Sequence, residues 1–205
     1  MREEHMEQNA AQKREEEPRE GSVNLEMLQE QIAAIRSDIE AIKKESPEDK
    51  LSMIVFSGDL DKVLAAFVIA TGAVAMGMDV VMFFTFWGTP ALRDKQKSVG
   101  DKDMMGKMFG SMLPKGIDGV KLSKMNMGGV GTKMMKSLMK KKNVASLEEM
   151  IQMAAEFGVR IFVCEMSMDL MGFKHEEMID YPDLTYCGVA KFLDEALGSR
   201  VQLFI

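Results

Sequence analysis

From Leu51 to Trp87 the chain passes through a strand-like run, Leu51-Ser52-Met53-Ile54-Val55-Phe56, then a helical stretch from Leu60 to Met76, then a second apolar run ending in Phe83–Trp87. Only a few residues join the three. Two strands linked through a helix by such short joints must lie parallel, in a right-handed crossover. The helical stretch carries Leu60, Val63, Leu64, Phe67, Thr71 and Val74 on one face, as packing on a sheet requires. Ser57-Gly58-Asp59 makes the first strand-to-helix turn.

The same alternation returns after residue 143. Ser146-Leu147-Glu148-Glu149 reads as a capping box opening a helix with Met150, Ile151, Ala154 and Phe157 inward, closed by Gly158. A strand, Val159–Val163, leads into Cys164, and Glu165-Met166-Ser167-Met168-Asp169 reads as the first turn of a short helix ending near Gly172. Leu184 to Leu197 is expected to be helical, with Val189, Phe192, Leu193, Ala196 and Leu197 at helical spacing; Gly198 stops it and Val201–Ile205 is a last strand. The fold class is a small doubly wound α/β domain.

Between Arg93 and Asn143 the alternation fails. This insert holds 13 bases against four acids, many methionines and the glycines of Asn126-Met127-Gly128-Gly129-Val130-Gly131. It reads as a mobile pair of short helices with a glycine hinge. The methionines fit packing over the sheet edge or between subunits, or a lid or docking surface for a partner or a membrane. Thioether copper binding is the weakest reading, because these methionines fit helix faces without a metal. No strand leads into the glycines and no Lys-Ser/Thr pair follows them, so they are not a nucleotide loop. Aromatic side chains are nearly absent from the insert, which argues against nucleic acid.

Ahead of the domain, residues 1–21 are charged, poor in apolar side chains and expected to be a disordered acidic tail. Within residues 22–46, Leu25, Leu28, Ile32, Ile35, Ile39 and Ile42 repeat at alternating spacings of three and four, the seam of a short coiled coil ended by Ser46-Pro47. Isoleucine at both core positions favours trimers or tetramers. An amphipathic helix packed on its own domain is the alternative. A homo-oligomer is the expectation.

The densely charged first fifty residues lack the apolar stretch of a secretory signal. The longest uncharged run, Val63–Met78, is 16 residues, short of the roughly 20 a membrane helix needs. Two cysteines without paired Cys/His spacing, and only His5 and His175 as histidines, give no metal centre and call for no cofactor. The chain is read as cytoplasmic, with thiols free to stay reduced.

Cys164 is the leading candidate for chemistry. A thiol between a strand's carboxyl end and a helix's amino end is favoured as thiolate by unpaired N–H groups and the helix dipole, and ligands bind at that edge of open α/β sheets. A buried cysteine that merely packs is the plainer reading. Around it Ser57, Gly58, Asp59, Trp87 and Met166 are candidate substrate- or anion-binding residues: Gly58 permits close backbone approach, N–H groups after Ser57 suit an anionic donor, and Trp87 walls a pocket. Ser57 and Asp59 also fit plain helix capping, and Trp87 plain core closure. Cys187 is a candidate second thiol, with packing the favoured role.

Five motifs in order carry a family resemblance: Ser57-Gly58-Asp59-Leu60-Asp61-Lys62; Phe83-Phe84-Thr85-Phe86-Trp87-Gly88; Lys121-Leu122-Ser123-Lys124-Met125-Asn126-Met127-Gly128-Gly129; Cys164–Gly172; and Leu203-Phe204-Ile205. From about Leu51 to Ile205 the chain resembles the DsrE/DsrF-like family, in its larger Met-rich branch; the coiled coil lies outside the resemblance. The resemblance implies a three-layer α/β/α fold with a mostly parallel, flavodoxin-like sheet. It implies a sulfur carrier or sulfurtransferase that holds sulfane sulfur as a persulfide on Cys164 and passes it to a partner thiol. TusA-like, rhodanese or disulfide-reductase modules are the implied partners. A non-catalytic oligomeric adaptor that docks such partners is the second reading. A thiol peroxidase is the third, and no Thr-x-x-Cys pattern accompanies it.

Overall fold

The crossover expected between the first two strands begins an all-parallel sheet. In the computed structural model, which describes residues 24–97, 99, 100, 102 and 104–205, five strands take the order β4-β3-β2-β1-β5. They are β1 (Glu48–Val55), β2 (Asp79–Phe84), β3 (Arg160–Cys164), β4 (Leu184–Cys187) and β5 (Ser199–Phe204), and every pairing is parallel. The chain divides into two units, 1–46 and 47–205. The tail expected over residues 1–21 lies outside the described residues.

In the first unit, helix α1 (Leu25–Glu45) starts at Asn24, whose Oδ1 accepts the Glu26 N–H at 3.1 Å. All six seam residues, Leu25 through Ile42, are exposed.

In the second unit, helix α2 (Leu60–Ala75) links β1 to β2, and helix α5 (Leu147–Glu156) leads into β3. Alternate strand residues Leu51, Met53, Val55, Val80, Met82, Phe84, Ile161 and Val163 pack with Val63, Ala66 and Phe67 of α2 and Ala154 of α5. Apart from the two alanines, each such fully buried side chain contributes about 1.5–3 kcal/mol of transfer free energy. The other strand face, Val81, Phe83, Phe162, Cys164 and Cys187, packs with Phe192 and Ala196 of helix α7 (Val189–Leu197). Helices thus flank both faces. Only β4-to-β5 reverses direction along the sheet, which puts α7 on the opposite face from α2 and α5.

The capping box at Ser146 is present: its Oγ accepts the Glu149 N–H, and Glu149 Oε2 accepts the Ser146 N–H at 2.7 Å. Gly158 ends that turn at φ 72°. Phe157, expected inward, is half exposed, because it falls past the last helical turn and no longer faces the sheet.

Two further expectations change. Leu184–Cys187 is a strand, not the start of the last helix; it is an edge strand held by the β3 ladder, and Gly188 separates it from α7. The second strand ends at Phe84 and does not reach Trp87. Phe86 adopts φ 44° and its N–H goes to Ser167 Oγ at 2.9 Å, so the chain leaves the ladder for a 3-10 turn, Phe86–Leu92.

The insert contains helices α3 (Met104–Met112) and α4 (Val130–Lys141), with Gly128 and Gly129 left-handed at φ 66° and 98° just before α4. Its first residues are tied down by main-chain pairing: Asp94 donates to the Glu177 carbonyl and Ile179 to that of Leu92. Among the described residues no helix is long and apolar enough to cross a membrane.

Candidate functional site

Cys164 is the last residue of β3 and the N-cap residue of helix α6 (Glu165–Met171). The alternation of β3 sends Ile161 and Val163 toward α2 and α5, and Phe162 and Cys164 toward α7. One turn into α6, Ser167 Oγ lies 2.9 Å from Thr85 Oγ1 and accepts the Phe86 N–H, fastening the helix to the end of β2. Met168 and Met171 bury the helix's inner side, and Gly172, at φ 63°, ends it.

The Cys164 side chain is closed in. It is 3% exposed and shares an apolar cluster with Phe83, Phe162, Phe192 and Cys187. Cys187 is its register partner on β4 and is likewise buried. Burial pushes the Cys187 thiol up, and Cys164 and Glu165 add to this against Lys191. Met166, by contrast, is half exposed on the outside of α6.

Ser57, Gly58, Asp59 and Trp87 come together elsewhere on the sheet's carboxyl edge. They line a cleft of about 670 Å³ with Phe56, Lys62, Lys121 and residues 111–114 of the insert. Cys164 and Met166 do not line it. A Cβ on Gly58 would stand 2.1 Å from the Trp87 carbonyl oxygen, and one on Gly88 2.2 Å from that of Val55. The two strand-end loops therefore touch backbone to backbone, and glycine at both positions is what allows it.

Two of the N–H groups after Ser57 have protein partners. Asp59 N–H donates to Ser57 Oγ at 3.3 Å, and Leu60 N–H donates to the Lys121 carbonyl at 2.8 Å. Asp59 is the N-cap residue of α2, yet its carboxylate caps no N–H; it accepts from Ser57 Oγ at 3.0 Å and pairs with Lys62 at 3.2 Å. The half-exposed indole of Trp87 and Lys121 line this cleft beside the Lys62–Asp59 pair.

Sequence reasoning singled out neither Ser167 nor the two cleft lysines. The Cys164-to-Ser167 spacing of one helical turn was the available signal for the first. The lysines stand at the end of the first family motif and the start of the third, but that they share a cleft is set only in the folded chain. Among the described residues no group of three or more His, Cys, Asp or Glu side chains is placed to hold a metal.

Residues 47–204 match the model of the DsrE/DsrF/DrsH-like family. The Bacillus subtilis protein YrkE is 46% identical over 156 residues, covering 76% of this chain and 96% of that protein. The Allochromatium vinosum protein named sulfur carrier protein DsrE2 is 35% identical over 162 residues, covering 77% of this chain and 99% of that protein.

Proposed function

We propose that this chain, which belongs to the DsrE/DsrF/DrsH-like family, is a cytoplasmic sulfur carrier that accepts sulfane sulfur on Cys164 and hands it to a partner thiol. The observation that carries the reading is the place of Cys164, at the carboxyl end of a central-sheet strand and the start of α6. The relative named a sulfur carrier supports it at 35% identity. The Cys164 thiolate attacks the outer sulfur of a persulfide or polysulfide donor, the donor thiolate leaves, and Cys164 holds a persulfide. An acceptor thiolate then attacks the terminal sulfur and Cys164 leaves as thiolate. Acceptors are thiols of TusA-like, rhodanese or disulfide-reductase type. The exposed seam of α1 assembles the carrier into a homo-oligomer, and the Met- and Lys-rich insert is its docking face.

Intact-mass spectrometry after brief incubation with polysulfide tests this. Wild type gains a sulfur atom that dithiothreitol removes, and Cys164→Ser does not. Equal uptake by both, or by neither, removes the carrier reading.

The closure of Cys164, with 3% of its surface exposed, favours a second reading: a non-catalytic oligomeric adaptor that docks redox or sulfur-relay partners. Under it the thiol is inert packing, and Cys164→Ala binds partners as well as wild type.

A further inference from the structure

The chain has two cysteines, and the fold brings them side by side. The β3–β4 ladder runs Ile161 to Leu184, Phe162 to Thr185, Val163 to Tyr186 and Cys164 to Cys187. Register partners on adjacent parallel strands project from the same sheet face, and both thiols lie in the one apolar cluster beneath α7. Neighbouring strands run about 4.7–4.9 Å apart, within the roughly 4.4–6.8 Å separation of Cα atoms that disulfides span. Each cysteine is also the last residue of its strand. A small shift that brings the sulfurs together therefore disturbs no ladder pairing beyond them. A packing role for Cys187 asks only for a small apolar side chain and gives no reason for a second thiol at this register position.

Resting on the carrier reading above, we propose that Cys187 discharges the Cys164 persulfide internally, releasing sulfide and leaving a Cys164–Cys187 disulfide. The Cys187 thiolate attacks Sγ of Cys164. The bond between that Sγ and the terminal sulfur breaks, and its electron pair leaves with the terminal sulfur as hydrosulfide. Two cysteine sulfurs are oxidised to one disulfide while the sulfane sulfur is reduced to sulfide, so no further oxidant enters. An external dithiol reductant then returns the pair to two thiols by exchange. Reduction of cargo sulfur thus becomes an alternative to handing it on intact, and the choice falls to whichever thiol reaches Cys164 first.

The test loads wild type, Cys187→Ser and Cys187→Ala with sodium polysulfide, removes the donor, and follows intact mass and free sulfide together. Wild type is expected to release its sulfur as sulfide and end two hydrogens lighter than the reduced chain, with a digest linking the Cys164 and Cys187 peptides. Both Cys187 variants, checked for unchanged urea midpoints, hold the added sulfur about tenfold longer or more. Sulfur loss at the same rate from all three, or loss from wild type without linked peptides, overturns the discharge step and leaves the carrier reading standing. Uptake by none of them overturns both. A parallel incubation of the reduced, unloaded chain with diamide, a small two-electron thiol oxidant, should yield the same linked peptides. Their absence there rules out the pair as a disulfide former independently of loading.

Discussion

The Glu177 carboxylate lies 3.1 Å from Nη2 of Arg93, with both side chains almost wholly buried. Lys102 pairs with the other carboxylate oxygen, and the Arg93 guanidinium sits 4.5 Å over the Phe173 ring. Two cations from the insert thus close on one anion from the β3–β4 connection. Burial pushes the Glu177 carboxyl up, but Lys102, the Lys174 N–H and Arg93 outweigh it and hold it below its ordinary value.

Removing that anion leaves two buried cations facing each other. Glu177→Gln should cost about 3–5 kcal/mol, read as a lowered urea midpoint. Replacing the cluster together, Glu177→Leu with Arg93→Met and Lys102→Met, should recover most of the loss. A Gln variant as stable as wild type would mean that the cations find other partners.

Arg160 donates two bonds to Glu195, at 2.7 and 3.1 Å, and Lys50 a third at 3.1 Å, so this residue of α7 is clamped to β3 and β1. The Arg160 bonds, against burial and with help from Lys50, bring its carboxyl down to about 2. A depressed carboxyl stabilises the fold fully above its unfolded value, near pH 4.5, and loses that contribution as pH falls toward the folded value. The contribution is of order 2 kcal/mol. Stability profiles of wild type and Glu195→Gln should therefore converge near pH 2, draw apart as pH rises to about 4.5, and keep a constant gap above it. A gap that stays unchanged between about pH 2 and 4.5 would show that the clamp adds nothing.

The two loops at the sheet's carboxyl edge leave no room at Gly58. Gly58→Ala drives a Cβ against the Trp87 carbonyl and should destabilise by about 2 kcal/mol or more. Gly72, within α2, has nothing within 4 Å of its Cβ position, so Gly72→Ala should stabilise by about 0.5–1 kcal/mol through helix propensity. Thermal melts of the pair give opposite signs if the loop contact is as close as described.

How much of this was readable in the sequence depended on how locally each feature was determined. The first crossover, the Ser146 capping box and the Cys164 strand-to-helix junction rest on neighbouring residues, and periodicity exposed them. β4 has only four residues, too few for a period, and its state is set by pairing with β3. The end of β2 is decided by Ser167, which takes the Phe86 N–H from across the sheet. The closure of Cys164 comes from Phe192 on α7, nearly thirty residues downstream. Cys187 was read as a helical residue, so its pairing with Cys164 was invisible until the strand order was known.

Discharge by Cys187 should quicken with pH. Burial raises its thiol first, then Cys164 and Glu165, while Lys191 from α7 opposes them, so the attacking thiolate is scarcer at neutral than at alkaline pH and discharge is slower there. Sulfide release from loaded wild type should climb about tenfold per pH unit until Cys187 titrates. Lys191→Ala should slow it further. Release that is flat across this range would point to water or an outside thiol as the agent.

In the proposed homo-oligomer the α1 seam joins the copies. Leu25, Ile32 and Ile39 fall at one core position of the heptad and Leu28, Ile35 and Ile42 at the other, all exposed. In a parallel, in-register bundle Asp38 at the g position faces Lys43 at the next e position of a second copy, an attraction that adds to the seam. Isoleucine at both core positions favours three or four strands over two. Sedimentation of the full chain should therefore give a trimer or tetramer. Ile35→Asp should dissociate it, and Ile32→Asn, a polar residue that specifies pairing, should shift it toward a dimer. If Ile35→Asp sediments like wild type, the α/β domain, and not α1, holds the copies together.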